Sequence, residues 1–280
     1  MYKIIFKKKL NPTVTMMKID APRVAAKAKA GQFIILRVDE NGERIPLTIA
    51  DYDREGGSVT IIYQIVGSTT QKLDAKSEGE YIEDFVGPLG RATEIEGLSK
   101  VAVVGGGVGC AIALPVAKAL HDAGCEVHSI VGFRNRDLVI LEDEFKTVSD
   151  KLVMMTDDGS YGEKGLVTNA LKALIDGGEK YDRVITIGPL IMMKFVCAVT
   201  KEYNIPTVAS MNPIMIDGTG MCGGCRLTVD GKVKFACVDG PEFDGHKIDF
   251  DEAMKRSATY REFERHAHEE TCNLLRKEVE

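Results

Sequence analysis

The spacing of apolar positions changes period near residue 98. Before it, the segments Tyr2 to Lys8, Thr13 to Ile19, Gln32 to Val38, Ser58 to Val66 and Tyr81 to Phe85 alternate apolar and polar residues, each bounded by Gly, Pro, Asn or Asp. Five or six such strands without a convincing helix predict a small antiparallel barrel. From Lys100 the strands become continuous apolar runs alternating with helical spacing. Val101 to Val104 runs into a glycine turn at Gly105 to Gly109, and Ala111 to His121 repeats at the helical period. Further strands are predicted at 126–132, 152–156, 183–187 and 207–210, with helices at about 164–175 and 190–203. Runs buried on both faces and separated by helices predict a doubly wound parallel sheet.

Two shorter regions follow. Residues 211–249 are rich in Gly and Cys, and 250–280 read as a charged helical tail with no Gly or Pro. The division expected is therefore 1–98, 99–210, 211–249 and 250–280. No repeat or low-complexity linker interrupts it, so the barrel should pack directly on the α/β domain with ligand between them.

Composition narrows the function classes. In 280 residues, 44% are hydrophobic and 28% charged, as in a soluble globular protein. A net charge of −6 gives no support to nucleic-acid binding. No apolar run approaches the ~18 residues of a membrane span, and the first ten residues break into charge too early for a secretory signal. Of the seven cysteines, Cys110, Cys125, Cys197 and Cys272 are scattered, which suits a reducing cytoplasm rather than a disulfide framework.

The remaining cysteines carry the strongest motif. Asp217-Gly-Thr-Gly-Met-Cys222-Gly-Gly-Cys225, followed by Cys237, reproduces the C-x4-C-x2-C spacing of a plant-type 2Fe-2S site, with Asp217 at the first position. Glycines let a backbone fold closely around inorganic sulfur, and a carboxylate is an anionic but harder donor than thiolate. Two other readings stand beside a cluster: a structural zinc site of three Cys and one Asp, and reduced cysteines in an ordinary hairpin.

The glycine turn Gly105-Gly106-Gly107-Val108-Gly109 lies between a strand and a helix, where unpaired N–H groups and the helix dipole suit a pyrophosphate. It departs from G-x-G-x-x-G, with Cys110 in the last position, so a plain tight turn is an equal reading. The later Ile187-Gly188-Pro189-Leu190 favours a nucleotide, because such a turn at a strand's carboxyl end leaves room for a flat ring. In the barrel half, Arg44-Ile45-Pro46-Leu47-Thr48 opens a strand, and Gly67-Ser68-Thr69-Thr70 follows the strand that carries Gln64. Taken singly, Arg44 reads as a surface arginine and the second stretch as an N-capped helix start.

The ordered set says more. Arg-x-Pro-Leu-Thr, Gly-Ser-Thr-Thr, Gly87-Pro88-Leu89-Gly90, the glycine turn and Gly-Pro-Leu together resemble the ferredoxin-NADP reductase superfamily over residues 1 to about 200. The appended cysteine motif resembles the electron-transfer subunits of dihydroorotate dehydrogenase. Asp217, Gly132-Phe-Arg-Asn-Arg136, Thr156-Asp-Asp-Gly-Ser160 and the tail most resemble the family of small subunits of NADH-dependent reduced ferredoxin:NADP oxidoreductase, and sulfide dehydrogenase beta subunits look the same. One departure is Ile187, where many relatives have Cys before Gly-Pro.

That resemblance implies an FAD-binding barrel, a doubly wound NAD(P)-binding domain and a 2Fe-2S segment. Arg44, Pro46, Leu47, Thr48, Gln64, Gly67, Ser68, Thr69 and Thr70 would hold FAD. Gly105, Gly106, Gly107, Val108, Gly109, Asp157, Asp158, Gly188 and Pro189 would hold NAD(H). Asp217, Cys222, Cys225 and Cys237 would ligate the cluster. Arg134 and Arg136 follow the second strand where an adenosine ribose is read, and they equally suit a 2′-phosphate. No side chain is expected as a general acid or base; His121, His266 and His268 read as solvated. The implied partner is a large FAD/4Fe-4S, NADP(H)-binding subunit, in a heterodimer that bifurcates electrons and meets ferredoxin indirectly. Delivery to a dihydroorotate dehydrogenase or a sulfide dehydrogenase is the alternative enzyme role, and a non-catalytic redox sensor the alternative of another class.

Overall fold

The computed structural model describes residues 1–260, 262–267 and 269. Seven strands make the first sheet: β1 (Tyr2–Asn11), β2 (Val14–Asp20), β3 (Phe33–Arg37), β4 (Arg44–Asp53), β5 (Ser58–Gln64), β6 (Tyr81–Ile82) and β7 (Asp84–Leu89). They run antiparallel in the order β6-β1-β2-β5-β4-β3-β7 and curl into a nearly closed barrel. Alternation sets the inward face: Met17, Ile19, Ile34, Leu36, Ile61 and Tyr63 meet Phe85 in its core. The strands are joined by two helices, of which only the second is expected, from the helix start read at Gly67 to Thr70. They are a short α1 (Pro22–Ala25) and an eight-residue α2 (Ser68–Ala75). α2 starts where Thr70 Oγ1 accepts from the Val66 and Gly67 N–H groups, both at 3.1 Å, which stabilises the first turn.

The second sheet contains β8 (Lys100–Gly106), β9 (Glu126–Phe133), β10 (Lys151–Thr156), β11 (Glu163–Lys164), β12 (Arg183–Ile187) and β13 (Thr207–Ser210), all parallel. Its helices are α3 (Gly109–Asp122), α4 (Glu142–Thr147), α5 (Val167–Asp176) and α6 (Leu190–Glu202). α4 carries too few residues to show a period in the sequence. The strand order β11-β10-β9-β8-β12-β13 places the reversal of winding between β8 and β12. Ligands of open α/β sheets bind at the carboxyl ends of strands flanking such a reversal.

The cysteine-rich segment is stitched to both halves. Its hairpin of β14 (Arg226–Val229) and β15 (Lys232–Phe235) leads through α7 (Ala236–Asp239) to β16 (Glu242–Asp244), which pairs antiparallel with β13. One apolar cluster joins Phe33 and Ile35 of the barrel, Met193 and Cys197 of α6, and Cys225, Leu227 and Cys237 of the segment. Another joins Ala50 and Ile62 of the barrel to Val103, Val116 and Ile185. The barrel and the parallel sheet thus share a core. α8 (Phe250–Ser257) buries Phe250 and Ala253, bonds Lys194 of α6 through Asp251 at 2.7 Å, and reaches Gly224 O from Arg256 Nη2 at 3.2 Å. Residues 262–267 and 269 are helical as well. The rest of the expected tail, with His268 and Cys272, lies outside the described residues.

Glu242 ties the segment to the connection between the sheets. The residue is half-buried, but its carboxyl faces inward and accepts from Thr93 Oγ1 at 2.7 Å. Burial pushes that carboxyl up to about 7 from 4.5. The neutral acid suits the site and the carboxylate does not. Its stability contribution is therefore fully present below about pH 4.5 and lost as pH rises through about 7. Glu242→Gln should flatten that slope. Chemical denaturation is expected to find the variant more stable than wild type at pH 8, by about 3 kcal/mol at most, and equal to it at pH 4.5.

Candidate cofactor and metal sites

Two turns touch at the reversal of winding. Gly105 lies opposite Ile187 in the β8–β12 pairing. A Cβ on Gly109 would stand 2.6 Å from Ile187 O and 2.7 Å from Gly188 Cα, and one on Gly106 would stand 2.3 Å from Met192 Sδ. These glycines are required by packing of one turn on the other. Gly107 differs: its φ is +56° and no atom lies within 4 Å of its Cβ position. The turn is therefore closed on its sheet side and open above Gly107, which fits a pyrophosphate lying over the start of α3.

Beside it, the ends of β9 and β10 meet. Asp158 N donates to Arg134 O at 3.3 Å, and Asp157 N to Phe133 O at 3.0 Å. Ser160 Oγ accepts from Arg136 N at 2.8 Å and donates to Asp158 Oδ1 at 2.7 Å. That hydroxyl bond, first among the causes, holds the Asp158 carboxyl below the usual carboxylate range. The Arg136 guanidinium lies over the Tyr161 ring, 5.6 Å from its centroid. The Asn135 Oδ1, buried between the two arginines in sequence, has no hydrogen-bond partner among the described residues. An orphaned buried acceptor at this edge suits a donor from a bound ribose or base. Tyr161 does not figure in the expectation from sequence, and Asn135 figures there only within the Gly132–Arg136 stretch, with no role of its own.

The barrel motifs converge too. Thr69 Oγ1, at the start of α2, donates to Glu43 Oε2 at 3.4 Å, next to Arg44 at the start of β4. Thr48, Leu47 and Pro46 lie across from Phe33, Ile34 and Ile35 of β3, and Gln64 ends β5 opposite Val14. Gly67 has open space around its Cβ position. α3, which begins at the glycine turn, packs against β4, and Lys118 reaches Asp51 at 3.4 Å. The flavin and nucleotide motifs are thereby fixed to one framework.

The cysteine loop sits on that framework. Arg44 Nε donates to Ile216 O at 3.1 Å across 172 residues of sequence. Gly218, at φ +78°, leaves room for neither a Cβ against Leu89 Cδ1 (2.7 Å) nor one against Ile35 Cγ1 (3.0 Å). The Cys225 and Cys237 Sγ atoms lie 3.2 Å apart without a disulfide. Burial first, and then the Cys225 thiol, push the Cys237 thiol up to about 12. Cys222 is exposed, and its Sγ accepts from Gly224 N at 3.4 Å. Asp217 Oδ2 accepts from Met221 N (3.1 Å) and Cys222 N (3.2 Å), so the carboxylate is folded back on the residue preceding the first cysteine and on that cysteine itself. Of the four predicted ligands the structure brings the Cys225 and Cys237 thiols into contact, with Cys222 on the adjoining turn and Asp217 hydrogen-bonded to that turn; no three of their ligand atoms lie within 4.8 Å of one another, which suits a two-iron cluster better than a single ion.

Two other features lie apart from these motifs. Glu126, His128 and Glu179 cluster closely, but Lys100 Nζ already lies 2.7 Å from Glu126 and 2.5 Å from Glu179, making an ion-pair group at the amino ends of β8 and β9. A cleft of about 680 Å³ opens between Arg91, Arg183, Asn204 and His246, and none of the motif residues lines it.

Residues 212–249 match the iron-sulfur cluster binding domain of dihydroorotate dehydrogenase B. The chain is 49% identical to a Thermotoga maritima dihydroorotate dehydrogenase B (NAD(+)) electron transfer subunit homolog, over 95% of this chain and 94% of that one. A Desulforamulus reducens dihydroorotate dehydrogenase B (NAD(+)) electron transfer subunit is 31% identical over 85% and 93%. A solved chain from work on flavin-based electron bifurcation by NADH-dependent reduced ferredoxin-NADP oxidoreductase superposes with a TM-score of 0.91 at 47% identity, covering 96% and 97%.

Proposed function

Because the chain belongs to the family of dihydroorotate dehydrogenase B electron transfer subunits, we propose that it passes electrons between NAD(H) and a larger catalytic subunit through FAD and a 2Fe-2S cluster. Bound FAD supplies hydride exchange with NAD(H), and the cluster supplies one-electron transfer. The protein contributes binding and placement. In the proposed assignment, Gly107 leaves the glycine turn open to the dinucleotide pyrophosphate, and Gly188-Pro189 keeps the neighbouring strand end flat for the nicotinamide. The Ser68–Thr70 turn of α2 and the guanidinium of Arg44 receive FAD phosphates, while Pro46 to Thr48 line the ring. Cys222, Cys225, Cys237 and Asp217 hold the cluster. The division into 1–98, 99–210, 211–249 and the tail is part of the same proposal, as is a cytoplasmic location. Among the described residues no helix is long and apolar enough to cross a membrane.

The observation that carries this reading is the contact between Arg44 and Ile216 O together with the seating of Gly218 on Leu89 and Ile35. Arg44, read as flavin-binding, bonds the backbone of the residue preceding Asp217, read as a cluster ligand, so the cysteine loop is anchored on the barrel rather than hung from a loose hinge. The finer proposal is a heterodimer with a large FAD/4Fe-4S, NADP(H)-binding subunit that bifurcates electrons, supported by the 47% identity to the chain from the bifurcation study. The match to the dihydroorotate dehydrogenase B cluster domain favours, as a second reading, a dihydroorotate dehydrogenase partner. Co-purification from the native source separates them, because the two partners differ in mass and cofactor content.

Nucleotide choice tests the NAD(H) side. With Asp158 ionised beside the adenosine position, a 2′-hydroxyl is favoured and a 2′-phosphate repelled. The KM for NADH in a dye-reduction assay of the isolated subunit should be roughly tenfold or more below that for NADPH, a difference of about 1.4 kcal/mol. Equal values, or a lower one for NADPH, would assign Arg134 and Arg136 to a 2′-phosphate instead.

A further inference from the structure

Asp217 is surrounded by donors from its own loop. Oδ2 accepts the N–H groups of Met221 and Cys222, and Oδ1 accepts the Thr219 N–H at 3.2 Å and the Thr219 hydroxyl. A carboxylate has about four lone-pair sites, so these four donors fill it. The three N–H donors are fixed by the backbone, and Gly218 and Gly220 hold that backbone in left-handed conformations at φ +78° and +87°. Only the hydroxyl can turn without moving the chain. Thr219 is itself exposed, so nothing in the packing of the loop accounts for its side chain.

We propose that Thr219 is a positioning residue for the cluster: its hydroxyl, donated to Oδ1, turns the Asp217 carboxylate so that it meets iron through one oxygen, and draws charge from it. The proposal rests on the reading of Asp217 as a ligand. When metal takes one of the four lone-pair sites, a donor must give way, and the N–H groups to Oδ2 cannot move without displacing Cys222. A rotating hydroxyl can turn toward the side of Oδ1 that the Thr219 N–H occupies and share it, because lone-pair directions are broad, and so keep its bond. A hydrogen bond to an anionic ligand favours the reduced, more negative cluster. Removing it should lower the midpoint potential.

The test uses the full chain, purified anaerobically, as wild type, Thr219→Val, Thr219→Ser and Asp217→Ala. Electron paramagnetic resonance of the dithionite-reduced cluster and a redox titration of that signal are read alongside iron content. Thr219→Val should keep iron, change the g-values and reduce the reduced-to-oxidised ratio at a fixed potential up to tenfold, which is 59 mV for a one-electron couple. Thr219→Ser should restore both wild-type values. Should Thr219→Val lose iron instead, iron retained by Thr219→Ser supports the same role, and iron lost by both overturns it. A wild-type spectrum and potential in Thr219→Val overturn the proposal, as does a shift that serine fails to reverse, since that would be packing by the methyl group. A wild-type spectrum in Asp217→Ala separates the other failure: the carboxylate is then no ligand, and the reading beneath the proposal falls.

Discussion

Cys225→Ala is expected to yield a folded protein that retains FAD and has lost most of its iron. Cys225 is 1% exposed and its Sγ lies against Cys237 Sγ at 3.2 Å, in the apolar cluster that also contains Leu227 and Phe243. Two effects compete. Deleting one sulfur atom from a packed site costs about 1 kcal/mol through the small cavity it leaves. Removing a thiolate from a four-ligand site opens a cluster iron to solvent, and metal binding is coupled to folding of the loop that supplies the ligands. The second effect is larger. Iron analysis should fall from about two atoms per chain to less than about one fifth of that, while flavin content stays near wild type because Arg44 and α2 lie outside the deleted contact. Thermal unfolding should shift down by several degrees through lost linkage to the cluster. Full iron retention in Cys225→Ala would remove this residue from the donor set.

Gly109→Val should have the largest effect on the nucleotide side. Its Cβ would come within 2.6 Å of Ile187 O and 2.7 Å of Gly188 Cα, which are backbone atoms held by the β8–β12 pairing. Neither can move without separating the strands at the reversal of winding. The substitution is expected to cost about 3 kcal/mol or more and to abolish saturable NADH binding. Gly107→Ala isolates the second consequence from the first. With open space around its Cβ position, only the left-handed backbone at φ +56° is penalised, by about 1 kcal/mol. Its methyl group would nevertheless project where the pyrophosphate is placed. Denaturation should find Gly107→Ala near wild type, and NADH titration should find it at least about tenfold weaker, or about 1.4 kcal/mol. Unchanged NADH affinity would place the dinucleotide elsewhere.

These contrasts show which parts of the molecule a single sequence reveals. The change of period near residue 98 and the apolar run at Val101 predict both sheets, because periodicity reports which faces are buried. Thr70 capping α2 and the Asp217-x-Thr219 turn are local patterns, of which the first reads as a helix start. The differing roles of Gly107 and Gly109 are not legible: a string of glycines does not say which faces the sheet and which faces outward. The Arg44–Ile216 bond spans 172 positions, and β16 is three residues long, so neither leaves a periodic trace. Asn135 Oδ1 is exceptional only because the fold buries it. The cysteine spacing, by contrast, points to a shared metal on its own, and the fold brings Cys225 and Cys237 into contact.

The central claim is that electrons from NADH reach the cysteine loop through a flavin held on the barrel. It is tested most directly by adding NADH to the anaerobically purified chain and following the flavin absorbance and the low-temperature paramagnetic signal in the same sample. The account predicts loss of the oxidised-flavin band together with the signal of a reduced 2Fe-2S cluster, both absent when NADH is omitted. A colourless, zinc-containing protein, or a flavin and cluster that NADH leaves oxidised while dithionite reduces them, would contradict it.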